Sequence, residues 1–214
     1  MTLVAFDFDG TLSDSEMTVL LGDRLGVAAE MATITERAMN DEIGYAESLR
    51  ERVALLEGLS ESEAEAAYEE VELRAGAPAL LRELREAGVT TAILTGGFER
   101  GVEAALDREN VSVDYLVSNR LPIEDGKLTG TVEGSLIEGT KDTALEKLTA
   151  ETGTDLEDTV AVGDGANDLP MLRVAGLAIG FDPKPAVAPA CEVIVTSMDE
   201  VRSVLVEEGV LDTA

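Results

Sequence analysis

Two aspartates one residue apart, Asp7 and Asp9, define the first chemistry open to this chain. They lie in Asp7-Phe8-Asp9-Gly10-Thr11-Leu12, at the end of the short apolar run Leu3 to Phe8. Side chains at i and i+2 of a strand share a face, so a strand ending here holds both carboxylates close together. Neighbouring carboxylates share a proton or need a cation. Gly10 lets the backbone leave the strand sharply. Two other readings of the segment stand beside this one: Asp9 as a plain cap of the following turn, and a calcium loop. The calcium loop fails on spacing, because Leu12 stands where glycine is required and Thr18 where glutamate is required.

A second apolar run, Thr159 to Val162, ends in Gly163-Asp164-Gly165-Ala166-Asn167-Asp168. If the two strands are neighbours, Asp7, Asp9, Asp164 and Asp168 gather at one edge. A hard divalent cation is then the natural neutraliser, and all-oxygen ligation with room for water favours Mg²⁺. Thr95-Gly96-Gly97 follows the run Thr90 to Leu94 and opens a helical segment. A hydroxyl and backbone N–H groups at such a turn make a small anion seat, although a loop or helix cap is the plainer reading. Lys141, after Gly139-Thr140, opens a helix where the macrodipole disfavours a cation. That placement suggests a task, although a solvated lysine is the plainer reading of this residue alone.

Composition removes several alternatives. The chain has no histidine and one cysteine, Cys191, which excludes imidazole proton transfer, Ser–His–Asp and Cys–His catalysis, an intramolecular disulfide and a cysteine-cluster zinc site. Sixteen Lys plus Arg oppose 44 Asp plus Glu, a net charge of −28. No basic cluster offsets this, so nucleic acid is not an expected partner. Lysine scarcity with surplus acid on an ordinary 45% hydrophobic composition suits a protein adapted to high salt. No apolar stretch approaches the roughly 20 residues of a membrane span. Met1 to Asp9 lacks the basic start of a signal peptide, and a cytoplasmic location is expected.

The elements that must position these groups are strands and helices in alternation. Further strand-like runs are Tyr115 to Val117, Leu177 to Ile179 and Val193 to Val195. Helical patterns include Pro78 to Gly88, with Leu80, Leu81, Leu84 and Ala87 on one face, and Lys141 to Glu151, with Ala144, Leu145 and Leu148. This order predicts an α/β fold, a Rossmann-like open parallel sheet with helices on both faces and its ligand site beyond the strands' carboxyl ends. Residues 15–75 carry helical patterns without a strand-like run, and so predict an all-helical insertion after the first strand. Glu124-Asp125-Gly126-Lys127 predicts a hairpin turn.

Taken together and in this order, the four polar segments resemble the haloacid dehalogenase superfamily of phosphatases. Asp7-Phe8-Asp9-Gly10-Thr11-Leu12 is similar to its first motif, Thr95 to its second, Lys141 to its third, and Gly163-Asp164-Gly165-Ala166-Asn167-Asp168 to its fourth. Tyr45 to Leu56, Thr95-Gly96-Gly97-Phe98, Gly126-Lys127-Leu128-Thr129-Gly130 and Leu156 to Leu172 resemble the phosphoserine phosphatase branch. The resemblance implies a core domain of residues 1–14 and 76–214 and a helical cap domain of 15–75. It implies hydrolysis of a small phosphorylated substrate, phosphoserine above all, with Asp7 as nucleophile and Asp9 as acid and base. Mg²⁺ would be held by Asp7, the Asp9 backbone carbonyl and Asp164, with Asp168 behind them. Thr95, Gly96, Lys141 and Asn167 would hold the phosphoryl oxygens. The same resemblance leaves open another small phosphorylated metabolite, transfer to an alcohol instead of water, or a silent binding module.

Arg52 lies on the apolar stripe Tyr45, Leu49, Val53 and Leu56 of the helical pattern Tyr45 to Glu57, while Arg50 points elsewhere. An arginine on an apolar face needs an anionic partner. That partner is either a carboxylate across the insertion's boundary or a substrate carboxylate clamped in two places. The resemblance assigns Arg52 to the substrate carboxylate and Glu16 to the substrate ammonium. Tyr45 stands where the family has phenylalanine, and Thr95 where the phosphoserine branch has serine.

Overall fold

Apolar runs build a seven-stranded sheet in the computed structural model, which describes residues 2–40 and 42–212. Met1, Asp41, Thr213 and Ala214 belong to the expected core and cap segments but lie outside the described residues. The strands are β1 (Leu3–Phe6), β2 (Thr90–Phe98), β3 (Tyr115–Arg120), β4 (Ile123–Glu124), β5 (Lys127–Leu128), β6 (Glu133–Gly134), β7 (Thr159–Gly163), β8 (Leu177–Phe181) and β9 (Val193–Val195). The main sheet has the order β6-β3-β2-β1-β7-β8-β9, parallel except at β3–β6.

β1 is central, and this places the chemistry. Phe6 stands opposite Ile93 of β2 and Val162 of β7. Asp7, one residue further on, is therefore level with Leu94, which precedes Thr95, on one side and with Gly163, which precedes Asp164, on the other. Its N–H donates to the Val162 carbonyl at 2.9 Å.

Alternation along the strands feeds two cores. Leu3, Ala5, Ala92, Leu94 and Ala161 pack with Leu145 and Leu148 of α7 (Lys141–Thr152) and Met171 and Leu172 of α8 (Leu169–Val174). Val4, Phe6, Ile93 and Val162 face the other way, toward α5 (Ala77–Glu86), α6 (Glu99–Arg108) and α9 (Met198–Glu207). The predicted layering is observed.

Between β1 and α5 lie α1 (Met17–Leu25), α2 (Ala28–Met39), α3 (Tyr45–Ala54) and α4 (Glu61–Tyr68), as the all-helical insertion predicts. The chain enters and leaves them side by side: Ser13 bridges Leu73, and the Arg74 N–H donates to the Leu12 carbonyl at 2.8 Å. The β4–β5 hairpin turns at Asp125 and Gly126, both at positive φ. It supports this segment instead of joining the main sheet: Lys127 bridges Ser60, and Gly58 N–H donates to Leu128.

Four expectations need correction. β1 stops at Phe6: Asp7 still donates its N–H to β7, and the chain turns after it toward Gly10. β2 runs on through Thr95-Gly96-Gly97 to Phe98, with a register irregularity between Leu94 and Phe98, so these residues form a bulge and α6 starts only at Glu99. α3 ends at Ala54, short of Glu57. Ala87 is exposed beyond the end of α5, where Gly88 terminates the helix at φ 70. Among the described residues, no helix is long and apolar enough to cross a membrane.

Candidate active site

Lys141, the first residue of α7, reaches across the sheet edge and is 3% exposed. Its Nζ donates to Asp7 Oδ1 and to Asp168 Oδ1, each at 2.5 Å. The other Asp168 oxygen accepts the N–H groups of Asp164 at 2.9 Å and Gly165 at 2.8 Å. Asp168 is fully buried and holds the β7 loop and the lysine in one arrangement. Carboxylate oxygens of Asp7, Asp164 and Asp168 lie within 4.8 Å of one another.

The electrostatics follow from this crowding. Burial, then Asp168, push the Asp7 carboxyl up to about 8, against the pull of Lys141. Burial also raises Asp164. Burial opposes the Lys141 charge, but Asp168 and Asp7 outweigh it and its pKa is raised, so it is a permanent cation here. Three carboxylates around one buried ammonium leave a surplus of negative charge. With hard oxygen donors throughout, the set fits a divalent cation.

The Asp9 carboxylate lies toward the Thr95 loop, where a methyl at Gly97 would come within 2.8 Å of Asp9 Oδ2, and it feels the charges of Asp7, Lys141 and Asp164. β1 ends at Phe6, and Gly10 at φ 88 turns the chain after Asp9. Asp9 Oδ1 is buried without a hydrogen-bond partner among the described residues. Burial, then Glu16 and Asp7, hold its pKa well above the usual carboxylate range. This is a carboxyl suited to carrying a proton.

Thr95 is 1% exposed, and its Oγ1 accepts the Gly97 N–H at 2.9 Å. Tyr45 presses on the same loop from α3. A methyl on Gly96 would lie 2.0 Å from the Tyr45 hydroxyl, so a side chain there would displace the end of the Tyr45 side chain. Tyr45 as a residue is 41% exposed, unlike Leu49, Val53 and Leu56, which are buried as the stripe predicts. Arg52 is half-buried, and its Nε donates to the Ser48 carbonyl at 3.3 Å. Burial lowers its pKa while Tyr45, Glu16 and Asp9 oppose this. Among the described residues no carboxylate pairs with it, whereas Arg50 pairs with Glu138. Glu16, just before α1, is exposed; partial burial and Asp164 raise its pKa against Lys184 and Arg52. Asn167 is exposed, with its Oδ1 over Gly165.

Two cations at the site escaped the sequence patterns. Lys184 Nζ lies 3.4 Å from Asp164 Oδ2, and its N–H donates to the Asp164 carbonyl at 3.0 Å. Its rarity (one of four lysines) and its place just beyond an apolar strand are the available signals. Arg74 donates to the Gly10 carbonyl at 3.2 Å and lies 5.1 Å over the Phe181 ring. No pattern marks it.

This edge of an open sheet, with an acidic cluster, a buried lysine and a bulged hydroxyl loop, defines a class. Residues 4–173 match the family model described as haloacid dehalogenase-like hydrolase, and the chain belongs to that family. Within it, the chain is 55% identical over 210 residues to a phosphoserine phosphatase of Halobacterium salinarum, covering 98% of this chain and 100% of the relative. It is 39% identical over 198 residues to a phosphoserine phosphatase of Methanocaldococcus jannaschii, covering 92% and 93%. A solved phospho-aspartyl intermediate analogue of a phosphoserine phosphatase superposes with TM-score 0.87 at 37% identity, covering 95% of this chain and 98% of the other. A substrate-bound phosphoserine phosphatase gives 0.86 at 38% identity, covering 95% and 96%.

Proposed function

We propose that the protein is a Mg²⁺-dependent phosphomonoester hydrolase that converts O-phospho-L-serine and water to L-serine and phosphate. The observation that carries the reading is the buried Asp7 carboxylate, held against the Lys141 ammonium with Asp164 within 4.8 Å. The likeness to phosphoserine phosphatases over nearly the whole chain supports the substrate.

Asp7, the Asp9 carbonyl and Asp164 would hold the cation, which when bound neutralises charge between Asp7 and the phosphoryl oxygens. Asp7 attacks phosphorus, and the bond from phosphorus to the serine oxygen breaks. Asp9 gives its proton to that oxygen, which suits its raised pKa. Asp9, now ionised, takes a proton from water as the water attacks the aspartyl-phosphate. Phosphate leaves and Asp7 is restored. Lys141, the Thr95 hydroxyl and the Gly96 N–H offset charge on the phosphoryl group, with Asn167 at the rim. Asp168 keeps Lys141 in place.

We read residues 15–75 as a cap over a core of 1–14 and 76–214. The cap supplies Arg52 for the substrate carboxylate, Glu16 for its ammonium and the Tyr45 ring as one wall. We place the enzyme in the cytoplasm, without nucleic-acid or membrane partners, in keeping with its charge. Phosphate release from L-phosphoserine, glycerol phosphate and an aryl phosphate, each with Mg²⁺ and with EDTA, tests the reading. Fastest turnover of L-phosphoserine, lost in EDTA, is expected. No release from any ester overturns the enzyme, and preference for glycerol phosphate overturns the substrate.

A further inference from the structure

The β2 bulge creates a problem that one side chain answers. Between Leu94 and Phe98 the register with β3 breaks, so Thr95, Gly96 and Gly97 have no regular ladder partners there. Asn119 of β3 sits opposite Phe98, is 1% exposed, and donates through Nδ2 to the Gly96 carbonyl at 3.0 Å. Only the amide nitrogen can face a carbonyl, which fixes the orientation of the group. Its Oδ1 is buried without a protein partner among the described residues, against the Gly134 backbone, where a side chain would come within 2.1 Å.

The Gly96–Gly97 peptide is thereby gripped at both ends. Its oxygen accepts from Asn119, and its N–H donates to Thr95 Oγ1 at 2.9 Å. A hydroxyl that accepts on one side keeps its own proton free to donate on the other. We propose that Asn119 is a positioning residue for the phosphoryl seat, acting through this peptide to orient the Thr95 hydroxyl. The proposal rests on the reading of Thr95 as a phosphoryl ligand. An aspartate at 119 would set an oxygen against the Gly96 carbonyl and release the peptide, although it matches asparagine in shape.

The test is a double-mutant cycle between Asn119→Ala and Thr95→Val, with Asn119→Asp as the variant of matched volume. In the Thr95 background, Asn119→Ala should lower kcat/KM for L-phosphoserine about tenfold to a hundredfold and raise the Ki of inorganic phosphate. In the Thr95→Val background the same change should cost less than about threefold, while the drop in Tm is equal in both. Asn119→Asp should lose at least as much activity as Asn119→Ala. Equal losses of kcat/KM in both backgrounds, or full activity of Asn119→Asp, overturn the proposal. Hydrogen exchange at the Gly97 amide separates it from the functional reading: protection should fall at least about tenfold in Asn119→Ala, whatever the turnover. Unchanged protection overturns the gripped peptide, whereas an inactive wild-type protein with a protected Gly97 amide overturns the phosphatase reading and, with it, a phosphoryl role for Asn119.

Discussion

Lys141 and Asp7, 134 positions apart in the chain, meet in a buried contact of 2.5 Å at the end of the central strand. The ammonium also faces Asp168, so it holds together a site that would otherwise be three repelling carboxylates. Lys141→Met removes that cation and leaves Asp7 and Asp168 buried without an opposing charge, although Asp168 keeps the Asp164 and Gly165 N–H groups. Steady-state kinetics should show kcat lower by at least about 10²–10³-fold. Unfolding of the metal-free variant should show a loss of about 3–5 kcal/mol at pH 8. Asp7→Asn should abolish turnover and radiolabel transfer to the protein. Unchanged turnover in either variant contradicts the assignment.

The raised pKa of Asp7 has a sign that can be checked. A carboxyl held at about 8 when folded, against 3.8 ordinarily, favours the protonated form in the folded state. The metal-free protein is therefore most stable, as far as Asp7 is concerned, at low pH and loses that contribution as pH rises through about 8. Mg²⁺ must displace this proton, so its apparent affinity should climb by up to about tenfold per pH unit below pH 8. The rise in Tm on adding Mg²⁺ should be larger at pH 8 than at pH 6. Equal rises contradict a protonated Asp7 in the metal-free protein.

Arg52 lacks a carboxylate partner among the described residues, yet it is half-buried near Glu16, Asp9 and Tyr45. Removing it should matter only to a substrate that carries a carboxylate. Arg52→Ala should raise KM for L-phosphoserine at least about tenfold, near the strength of a charge-assisted hydrogen bond, while KM for an aryl phosphate moves less than about twofold. Equal effects on both esters remove Arg52 from substrate recognition.

Asp164 and Lys141 were legible because each sits at a fixed boundary, a strand end or a helix start, and parallel topology brings strand ends together. The hairpin turn was legible from Asp125-Gly126, whose positive φ values follow from residue type. The unpartnered burial of Asp9 among the described residues was not, because it depends on groups from Glu16 and the Thr95 loop that packing brings around it. Nor was the β2 bulge: Thr95-Gly96-Gly97 reads locally as a loop, and the Asn119 amide that bonds the Gly96 carbonyl comes from a residue distant in sequence. Arg74 and Lys184 were hidden for the same reason, since their partners are backbone carbonyls and a carboxylate set by tertiary packing.

The charge of −28 predicts a salt response. Self-repulsion weakens as the screening length falls to about 3 Å at molar salt. The relative from Halobacterium salinarum fits a high-salt setting. Tm should rise in molar KCl relative to low salt, and by more than in a variant with ten exposed glutamates changed to glutamine. Equal rises in the two proteins place the effect outside charge screening.

Gly96 and Tyr45 offer a test of how tightly α3 is seated on the phosphoryl loop. A methyl at position 96 would lie 2.0 Å from the Tyr45 hydroxyl but 3.3 Å from the ring carbon that bears it. Gly96→Ala must therefore push Tyr45 or the loop aside, and kcat/KM should fall at least about tenfold through misplacement of the seat. Tyr45→Phe alone deletes only the hydroxyl and should change kcat/KM less than about threefold. Combined with Gly96→Ala it removes the atom in the way, leaving a contact that a small shift can absorb. The double variant should recover most of the lost activity, so the two changes should be strongly non-additive. Additive losses mean that the tyrosine hydroxyl does not rest on Gly96 during turnover.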